Sequence, residues 1–311
     1  MTRRPAYPLV AMSVVALFIT SCATGTGTES ATESATEAAT PNASASAADS
    51  AEPSESPAAT GVIAEIQERG VLKVGMTATL RPFEYFEGDE IIGFDVDLIN
   101  MIADELGVEG EAIDTDWAGV IPSLYAGQFD TIVSHMTVTP ERAEQVIFSQ
   151  PYGVSTMQFF THADRDDLQT AADLEGLKIG GTIGSASQTA IEGWEAEGHE
   201  FAEVVYLQNF QEGILALDQG RVDAWAVTVA PAAVVVNENP GTYKLVEGFG
   251  PELYIGIPFR EEDTNLCELV DTLLTDIKAD GRFEEMQDEW LGFRVEVPDN
   301  YDAMEFPVTR C

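Results

Sequence analysis

Basic residues are scarce in this sequence. Its 311 residues include 15 Lys and Arg against 54 Asp and Glu, which gives a formal net charge of −39 at pH 7. Residues 61–311 alone carry 48 acidic and 13 basic side chains. A surface of this sign repels phosphates, so we exclude nucleic-acid binding. The excess of acid indicates a well-solvated surface, and adaptation to a salty habitat would explain it.

Long apolar runs are almost absent as well. The one clear run, residues 9–19, follows Arg3 and Arg4 and ends shortly before Cys22. This order is typical of an export signal, and the run is shorter than the roughly 20 residues that span a bilayer. Because no second run of spanning length follows, we do not expect a membrane receptor with a cytoplasmic signalling half.

Cys22 makes the export signal more specific. The segment ITSC, residues 19–22, resembles the bacterial lipobox, in which the cysteine thiol is acylated and becomes the first residue of the mature protein. Ordinary secretion with an unmodified Cys22 is the alternative. We expect residues 1–22 to form a lipoprotein signal peptide ending at Cys22, and the chain to be lipid-anchored on the extracytoplasmic face of the cell membrane.

Residues 23–60 lack aromatic residues, leucine and isoleucine, and they hold six acids and no base. Such a segment cannot bury enough apolar surface to offset the entropy of ordering it. We therefore expect a disordered, acidic linker rich in Ser, Thr and Ala between the lipid anchor and the folded part.

Cysteine is rare, with three residues in the chain. If Cys22 carries the lipid, Cys267 and Cys311 remain as an even pair in an oxidising compartment. We expect a disulfide that ties the C-terminal tail to the helix around Cys267, contributing about 4 kcal/mol in the chain-entropy model. Two free thiols are the alternative.

Short strands alternate with helices after the linker, which indicates an α/β protein with mostly parallel sheets. The predicted strands cover residues 71–75, 108–113, 130–134, 177–181, 204–207 and 222–227. Amphipathic or capped helices are predicted over residues 94–106, 117–125, 209–220 and 229–237, and after Thr139 and Gly184. Two such runs, separated near residues 153–166, indicate two similar lobes.

The stretch SHMTVTPERAEQVIFSQPY, residues 134–152, begins where a buried strand is predicted to end. It has hydroxyls and one arginine, but no metal-ligand spacing and no nucleophile–base pair. Thr139, Pro140 and Glu141 are typical of a helix N-terminus. Because open α/β sheets bind ligands where strands end and helices begin, we expect a binding site here, and a second contribution from the junction at residues 184–187.

A series of motifs along the chain is similar to polar-amino-acid-binding proteins of ABC importers. The motifs are ERGVLKVGMT, RPFEYFEGDEIIGFDVDLINMIADELG, DWAGVIPSLYAGQFD, TVTPERAEQVIFSQPY, ADLEGLKIGGTIGSASQTA, LDQGRVDAW, IGIPFR and IKADGRFEEMQDEWLG. They cover about residues 66–292. A single motif such as GFDVDL is only moderately specific, but eight in the family's order and spacing are strong support.

The resemblance implies a two-lobed periplasmic-binding-protein fold of type II, in which each lobe is a mostly parallel sheet flanked by helices. Lobe 1 would be discontinuous, residues 61–157 and 254–298, and lobe 2 would be residues 158–253. Two hinge strands near residues 157–160 and 249–254 would join the lobes, and residues 299–311 would form a C-terminal tail.

The resemblance also gives Arg142 a role. In the family's pattern T-x-T-x-x-R, here residues 137–142, the arginine binds the carboxylate of the ligand, and a guanidinium does this bidentately where a lysine cannot. Thr137 matches the hydroxyl and backbone donor beside it, and Ser134 matches a strand-end carbonyl that faces the ligand. A surface ion pair of Arg142 with Glu141 or Glu144 is the alternative.

Other site positions follow from the same comparison. Trp117 matches an aromatic residue that stacks on the ligand, although its helical spacing also suits core packing. Leu80 stands where many relatives have a second aromatic residue. His135 would either contact the distal end of the ligand or fill the floor of the cleft. The predicted ligand-binding residues are Thr77, Leu80, Trp117, Ser134, His135, Thr137, Arg142, Thr182, Ser185, Ala186, Ser187 and Thr228.

Three positions depart from the family's pattern. Thr228 stands where relatives commonly have an Asp that binds the ligand's ammonium, Thr77 replaces an acid sometimes found after the first strand, and Thr182 replaces a lysine of glutamine-type binders. Burying an unpaired ammonium costs several kcal/mol, so a pocket without an acid argues against an ordinary α-ammonium group. Beside a polar amino acid, an ectoine-type compatible solute is therefore the second candidate ligand.

An enzyme of the same fold, a periplasmic cyclohexadienyl dehydratase, is the remote alternative. Its reaction needs a positioned proton donor, and His135 is the one titratable group other than Arg142 at the matched cleft positions. We therefore expect no catalytic residues, no cofactor and no metal. The resemblance implies a monomer that works with an ABC permease and an ATPase, both as separate chains.

Overall fold

The structure is a computed structural model and describes residues 60–302, 304 and 306–311. The predicted signal peptide with Cys22, and the predicted linker up to residue 59, lie outside the described residues. All described residues belong to one contiguous unit. Within the described residues, none of the helices has the length and apolar character that a bilayer-spanning segment needs.

The described helices are α1 Val62–Arg69, α2 Phe94–Leu106, α3 Val120–Tyr125, α4 Pro140–Ala143, α5 Ala186–Glu197, α6 Phe210–Asp218, α7 Val229–Glu238, α8 Thr264–Asp280 and α9 Arg282–Trp290. The described strands are β1 Val71–Met76, β2 Thr79–Leu80, β3 Glu84–Glu87, β4 Glu90–Ile92, β5 Glu109–Asp114, β6 Thr131–Ile132, β7 Ile147–Phe148, β8 Gly153–His162, β9 Lys178–Thr182, β10 Glu203–Leu207, β11 Ala224–Thr228, β12 Tyr243–Ile255 and β13 Pro258–Phe259.

The first sheet is parallel, with strand order β5-β1-β6. Helix α2 buries one face against it, because Leu98, Ile102 and Leu106 recur every four residues and are fully or almost fully buried. The helix ends at Gly107, which takes the left-handed conformation that glycine adopts without strain. A small antiparallel sheet, β2-β3-β4, precedes α2.

The second sheet has the order β10-β9-β11-β8-β12. Strands β10, β9 and β11 are parallel, whereas β8 and β12 are antiparallel to their neighbours. Trp225 of β11 is fully buried here, and its ring lies where a Cβ on Gly180 or Gly213 would be. Glycine at both positions therefore makes room for the largest side chain of this core.

The long strands β8 and β12 run from one sheet to the other. At one end, residues 157–160 of β8 pair with β11. At the other end, β12 contacts the segment that follows β6, because the N–H of Val138 donates to the carbonyl of Tyr254 at 2.8 Å and that of Gly256 donates to Met136 at 3.0 Å. The protein thus has the predicted fold class, two α/β lobes of the periplasmic-binding-protein type II joined by two strands.

Cys267 and Cys311 form a disulfide, which confirms the predicted pairing. Cys267 is buried in α8, and Cys311 is the last residue of the chain. Further contacts bind the tail to the same region: the hydroxyl of Tyr301 donates to the carbonyl of Ser149 at 2.8 Å, and Arg310 pairs with Asp271.

Strand β6 is shorter than predicted, because residues 130–134 were expected to be extended and only Thr131–Ile132 form a strand. The backbone N–H of Asp130 still donates to the carbonyl of Lys73 at 2.8 Å, and its carboxylate accepts the N–H of Lys73 at 2.8 Å and pairs with Arg69. At the other end, the Ser134 hydroxyl donates to Glu84 at 2.7 Å. The side chains at both ends are therefore used to bind neighbouring elements.

Candidate functional site

A cavity of about 100 Å³ lies between the two lobes, at the carboxyl ends of β1, β6, β9 and β11. All twelve residues predicted to bind the ligand line this cavity. They come from both lobes, and the lining includes the segment after β6 on one side and the start of α5 on the other. The structure thus brings the predicted set together, while the contact of each residue with a ligand stays a prediction.

Sequence reasoning missed eight residues of the lining. They are Thr79, Glu84, Met157, Gln208, Asn209, Phe210, Ala226 and Val227. Gln208 and Asn209 follow β10 and precede α6, so the strand-end rule that indicated the other junctions could have found them. Met157 lies in one of the predicted hinge strands. Glu84 had no such signal, because it lies in a short strand that periodicity did not reveal.

Arg142 is the one permanently charged side chain among the residues that line the cavity. It lies in α4, whose N-cap Thr139 and first residue Pro140 are placed as predicted. Arg142 is 8% exposed, and its guanidinium donates to the carbonyl of Thr137 at 2.6 Å and to that of Gly184 at 3.0 Å. Since a guanidinium has five N–H groups, donors remain for a further acceptor.

The described acidic side chains leave Arg142 without an ion pair, so the alternative pairing with Glu141 or Glu144 does not form. Burial lowers the pKa of Arg142 to about 10, and the charge of Glu141 opposes this shift. The group therefore stays positive at neutral pH. A buried positive charge with free donors is a favourable place for a carboxylate.

Trp117 and Gly184 connect the two sides of the cavity next to Arg142. The guanidinium carbon of Arg142 lies 5.0 Å from the centre of the Trp117 ring, within the range of a cation–π contact. The indole N–H donates to the carbonyl of Gly184 at 3.1 Å, so this carbonyl receives hydrogen bonds from both side chains. Gly184 has φ of +68°, a conformation that favours glycine. Trp117 also packs partly against the core of its lobe, as its helical spacing indicated, while its stacking on a ligand stays a prediction.

On the side of the second lobe, hydroxyls surround the start of α5. Ser185 is the N-cap of this helix, and its hydroxyl accepts the N–H of Ser187 at 3.1 Å. The Ser187 hydroxyl accepts the N–H of Thr182 at 3.0 Å. A helix N-terminus carries partial positive charge, so this side of the cavity also favours an anionic group.

The prediction that the pocket has no acid is wrong. Glu84 lines the cavity, and its side chain is almost fully buried. Burial, together with the charge of Asp95, raises the pKa of the Glu84 carboxyl well above its usual value. Its environment therefore favours the protonated, uncharged form of this acid over the carboxylate.

His135 forms part of the cavity floor. Its φ of +41° is unusual for a residue with a side chain, and its backbone N–H donates to Asp95 at 2.6 Å. The imidazole stacks on Phe83 with 3.5 Å between ring centres. Burial lowers its pKa to about 3, so the ring is neutral at physiological pH. It fills the floor, as one of its two expected roles requires, and the other role stays a prediction.

Thr77, Thr182 and Thr228, the three threonines that differ from the family's pattern, all line the cavity. Thr77 uses its hydroxyl to donate to the carbonyl of Thr115 at 3.1 Å, and Thr228 is the N-cap residue of α7. None of them supplies charge. Within the described residues, no group of His, Cys, Asp and Glu is arranged to hold a metal ion. The arrangement therefore suits binding of a small anion or zwitterion by one cation and several neutral polar groups.

Comparison with known proteins agrees with this geometry. The family described as bacterial extracellular solute-binding proteins, family 3, matches residues 72–293. The ABC transporter arginine-binding protein 1 of Escherichia coli K12 is 32% identical, over 70% of this chain and 90% of the relative.

Solved structures are similar too. A mutant of ArgBP from T. maritima superposes with a TM-score of 0.68 at 36% identity, covering 74% of this chain and 99% of that one. The ancestral amino acid-binding protein AncCDT-1, a precursor of cyclohexadienyl dehydratase, gives a TM-score of 0.69 at 29% identity, over 74% of this chain and all of that one.

Proposed function

Because the chain belongs to family 3 of the bacterial extracellular solute-binding proteins, we propose that it binds a small carboxylate-bearing solute and delivers it to an ABC importer. The ligand class is a polar amino acid or an amino-acid derivative. The observation that carries this proposal is Arg142, the buried cation at the cavity wall, which has no carboxylate partner among the described residues and keeps donors for one.

The size of the cavity supports a ligand about as large as one amino acid. Its volume is about 100 Å³, whereas one water needs about 10–15 Å³ by a comparable measure. Arg142 and Trp117 also line a neighbouring cavity of about 330 Å³, whereas Glu84 and His135 line only the smaller one. The carboxylate would thus lie at the outer end, and the rest of the ligand would point towards the floor.

An ectoine-type solute is the second candidate. Thr77 and Thr228 place hydroxyls where an acid would bind an ammonium, and burial raises the pKa of Glu84, the one acid of the lining, well above its usual value. A ligand with a carboxylate and a delocalised or masked cation avoids the cost of burying an unpaired ammonium. These features favour ectoine over α-amino acids that lack a further partner for their ammonium.

Binding would close the lobes by shifting a population. The ligand touches both lobes only when they are closed, so it stabilises that state selectively. We place the lobes at residues 61–157 with 254–298 and at residues 158–253, with bending in β8 and β12 near residues 157–160 and 249–254. The lipid anchor at Cys22, the monomeric state and the separate permease and ATPase chains belong to the same proposal.

Isothermal titration calorimetry against the twenty amino acids and ectoine tests the ligand class. We expect at least one α-amino acid to bind. If ectoine binds and no α-amino acid does, the second candidate replaces the first. If no compound with a carboxylate binds and carboxylate-free solutes do, the proposal fails. A parallel assay with prephenate tests the enzyme alternative, and we expect no turnover.

A further inference from the structure

Two buried carboxyl groups, Glu84 of the cavity lining and Asp95 behind it, contact the consecutive floor residues Ser134 and His135. Glu84 is 1% exposed, and its Oε1 accepts the hydroxyl of Ser134 at 2.7 Å. Asp95 is fully buried, and its Oδ2 accepts the backbone N–H of His135 at 2.6 Å. The two acids therefore hold consecutive residues of the floor from two different elements, β3 and the start of α2.

The backbones that carry these acids are in direct contact. The N–H of Asp95 donates to the carbonyl of Phe83, the residue before Glu84, at 2.9 Å. A Cβ on Gly93 would collide with this same carbonyl. Glycine at position 93 thus lets the start of α2 approach β3 closely, which places Asp95 near enough for its charge to act on Glu84.

The remaining oxygens of the two acids are unpartnered. Glu84 Oε2 and Asp95 Oδ1 are buried and accept no hydrogen bond from the described residues. No described lysine or arginine forms an ion pair with either acid. Two ionised carboxylates placed this way would repel one another without compensation, and one buried unpaired charge already costs several kcal/mol. A proton between the two oxygens removes both problems at once.

We propose that Glu84 and Asp95 share one proton between Oε2 and Oδ1, and that this pair positions Ser134 and His135 at the floor of the ligand site. The proton is covalently bound to Glu84 Oε2 and forms a hydrogen bond to Asp95 Oδ1. Asp95 keeps its negative charge, and its other oxygen accepts the N–H of His135. The proposal rests on the proposed function only in calling the cavity a ligand site, because the shared proton can be measured without a ligand.

The other titratable groups facing the pair agree with this assignment. The Tyr152 hydroxyl donates to Asp95 Oδ2 at 3.2 Å, and burial raises the pKa of this hydroxyl, so it stays protonated. The His135 ring is neutral because burial lowers its pKa to about 3. Burial raises the pKa of Asp95 to about 6 and that of Glu84 well above its usual value. The last proton lost from the pair is thus the one that Glu84 carries.

The sign of the pH dependence follows from these directions. A carboxyl whose pKa is raised in the folded state binds more protons folded than unfolded, so stability falls as pH rises from the unfolded pKa of Glu84 to its folded pKa. Loss of the shared proton would also put two charges under Ser134 and His135. We therefore expect ligand affinity to fall at alkaline pH together with stability.

Three variants test the pair. Glu84→Gln keeps a donor towards Asp95 and an acceptor for Ser134 but cannot lose a proton. Asp95→Asn removes the charge of Asp95, so the pKa of the Glu84 carboxyl should fall below that in the wild type, although burial still raises it. Glu87→Gln is the matched control, because Glu87 lies in the same strand and is exposed. Urea unfolding from pH 5 to pH 9, and infrared spectra of the unliganded proteins, report on the proton.

We expect the wild type and Glu87→Gln to show a protonated-carboxyl band at pH 7 and a fall in stability with pH. The band should be absent from Glu84→Gln, and it should disappear at lower pH in Asp95→Asn than in the wild type. The slope should decrease by about one proton in Glu84→Gln. If Glu84→Gln keeps the band and the slope of the wild type, the proposal is wrong. If one of Glu84→Gln and Asp95→Asn does not fold, the infrared band of the other variant decides whether the two acids share a proton.

The positioning role is tested by affinity for a ligand found in the calorimetric screen. Glu84→Gln should bind at least tenfold more tightly than Glu84→Ala, and its affinity should not fall between pH 7 and pH 9 as that of the wild type does. Equal affinities of the two variants would overturn the positioning role. If no screened compound binds, the proposed function fails, while the infrared and unfolding results still decide whether the proton is shared.

Discussion

At the residue scale, the site combines side chains that sequence patterns reveal with others that they do not. Arg142 and Thr139 were predictable, since a helix start and a family motif coincide there. Glu84 was not, because its burial depends on Ser134 and Asp95, which are 50 and 11 residues away along the chain. A glutamate in a short segment rich in acidic residues gives no local sign that its side chain will be buried.

Trp117 carries a prediction at this scale. Trp117→Phe keeps a ring beside Arg142 but removes the N–H that binds Gly184, so we expect affinity to fall about threefold to tenfold. Trp117→Ala also removes the cation–π contact and buried area, and should cost about 100-fold. Calorimetry with the best ligand measures both.

The control for these variants is Trp290→Phe. It also removes an indole N–H, here the one that donates to Asp97 at 2.7 Å, but Trp290 is not among the residues that line the cavity. Its affinity should stay within about twofold of the wild type. If Trp117→Ala behaves like this control, Trp117 is only a core residue.

At the scale of elements, local patterns predicted helices better than sheets. The limits of α2 and the cap of α4 follow from apolar spacing, glycine and proline, which act within a few residues. The hairpin of β2, β3 and β4 was not predicted, and neither was the antiparallel pairing of β8 with β11. Strand pairing depends on partners far along the chain, for example Phe160 with Trp225, and no local pattern encodes it.

The disulfide gives a prediction for the C-terminal elements. Replacing Cys267 and Cys311 by serine should lower the free energy of unfolding by about 4 kcal/mol, because the bond closes a loop between residues 44 apart. Neither residue lines the cavity, so ligand affinity should stay close to that of the wild type. Urea unfolding with and without a reducing agent measures the effect. A wild-type protein that loses no stability on reduction would contradict it.

At the scale of the whole molecule, a strongly acidic protein is proposed to capture a carboxylate. Surface charges are screened over about 8–10 Å in physiological salt, whereas a buried cation such as Arg142 is screened much less. Arg142 donates to the carbonyl of Thr137, which follows β6, and to that of Gly184, which precedes α5, so the same side chain contacts both sides of the cavity. Under the proposed closure, this contact and the hydrogen bond from Trp117 to Gly184 would both stabilise the closed state.

The central claim is that Arg142 binds the carboxylate of the ligand. The most direct measurement is a cycle of four calorimetric titrations, with the wild type and Arg142→Ala each titrated with the best amino acid and with its carboxamide. The exposed Arg282→Ala is the control variant and should match the wild type. In the wild type, conversion of carboxylate to carboxamide should weaken binding at least about 30-fold, as loss of a charge-assisted hydrogen bond predicts. In Arg142→Ala the two compounds should bind within about threefold of each other, and an unchanged preference for the carboxylate in that variant would contradict the account.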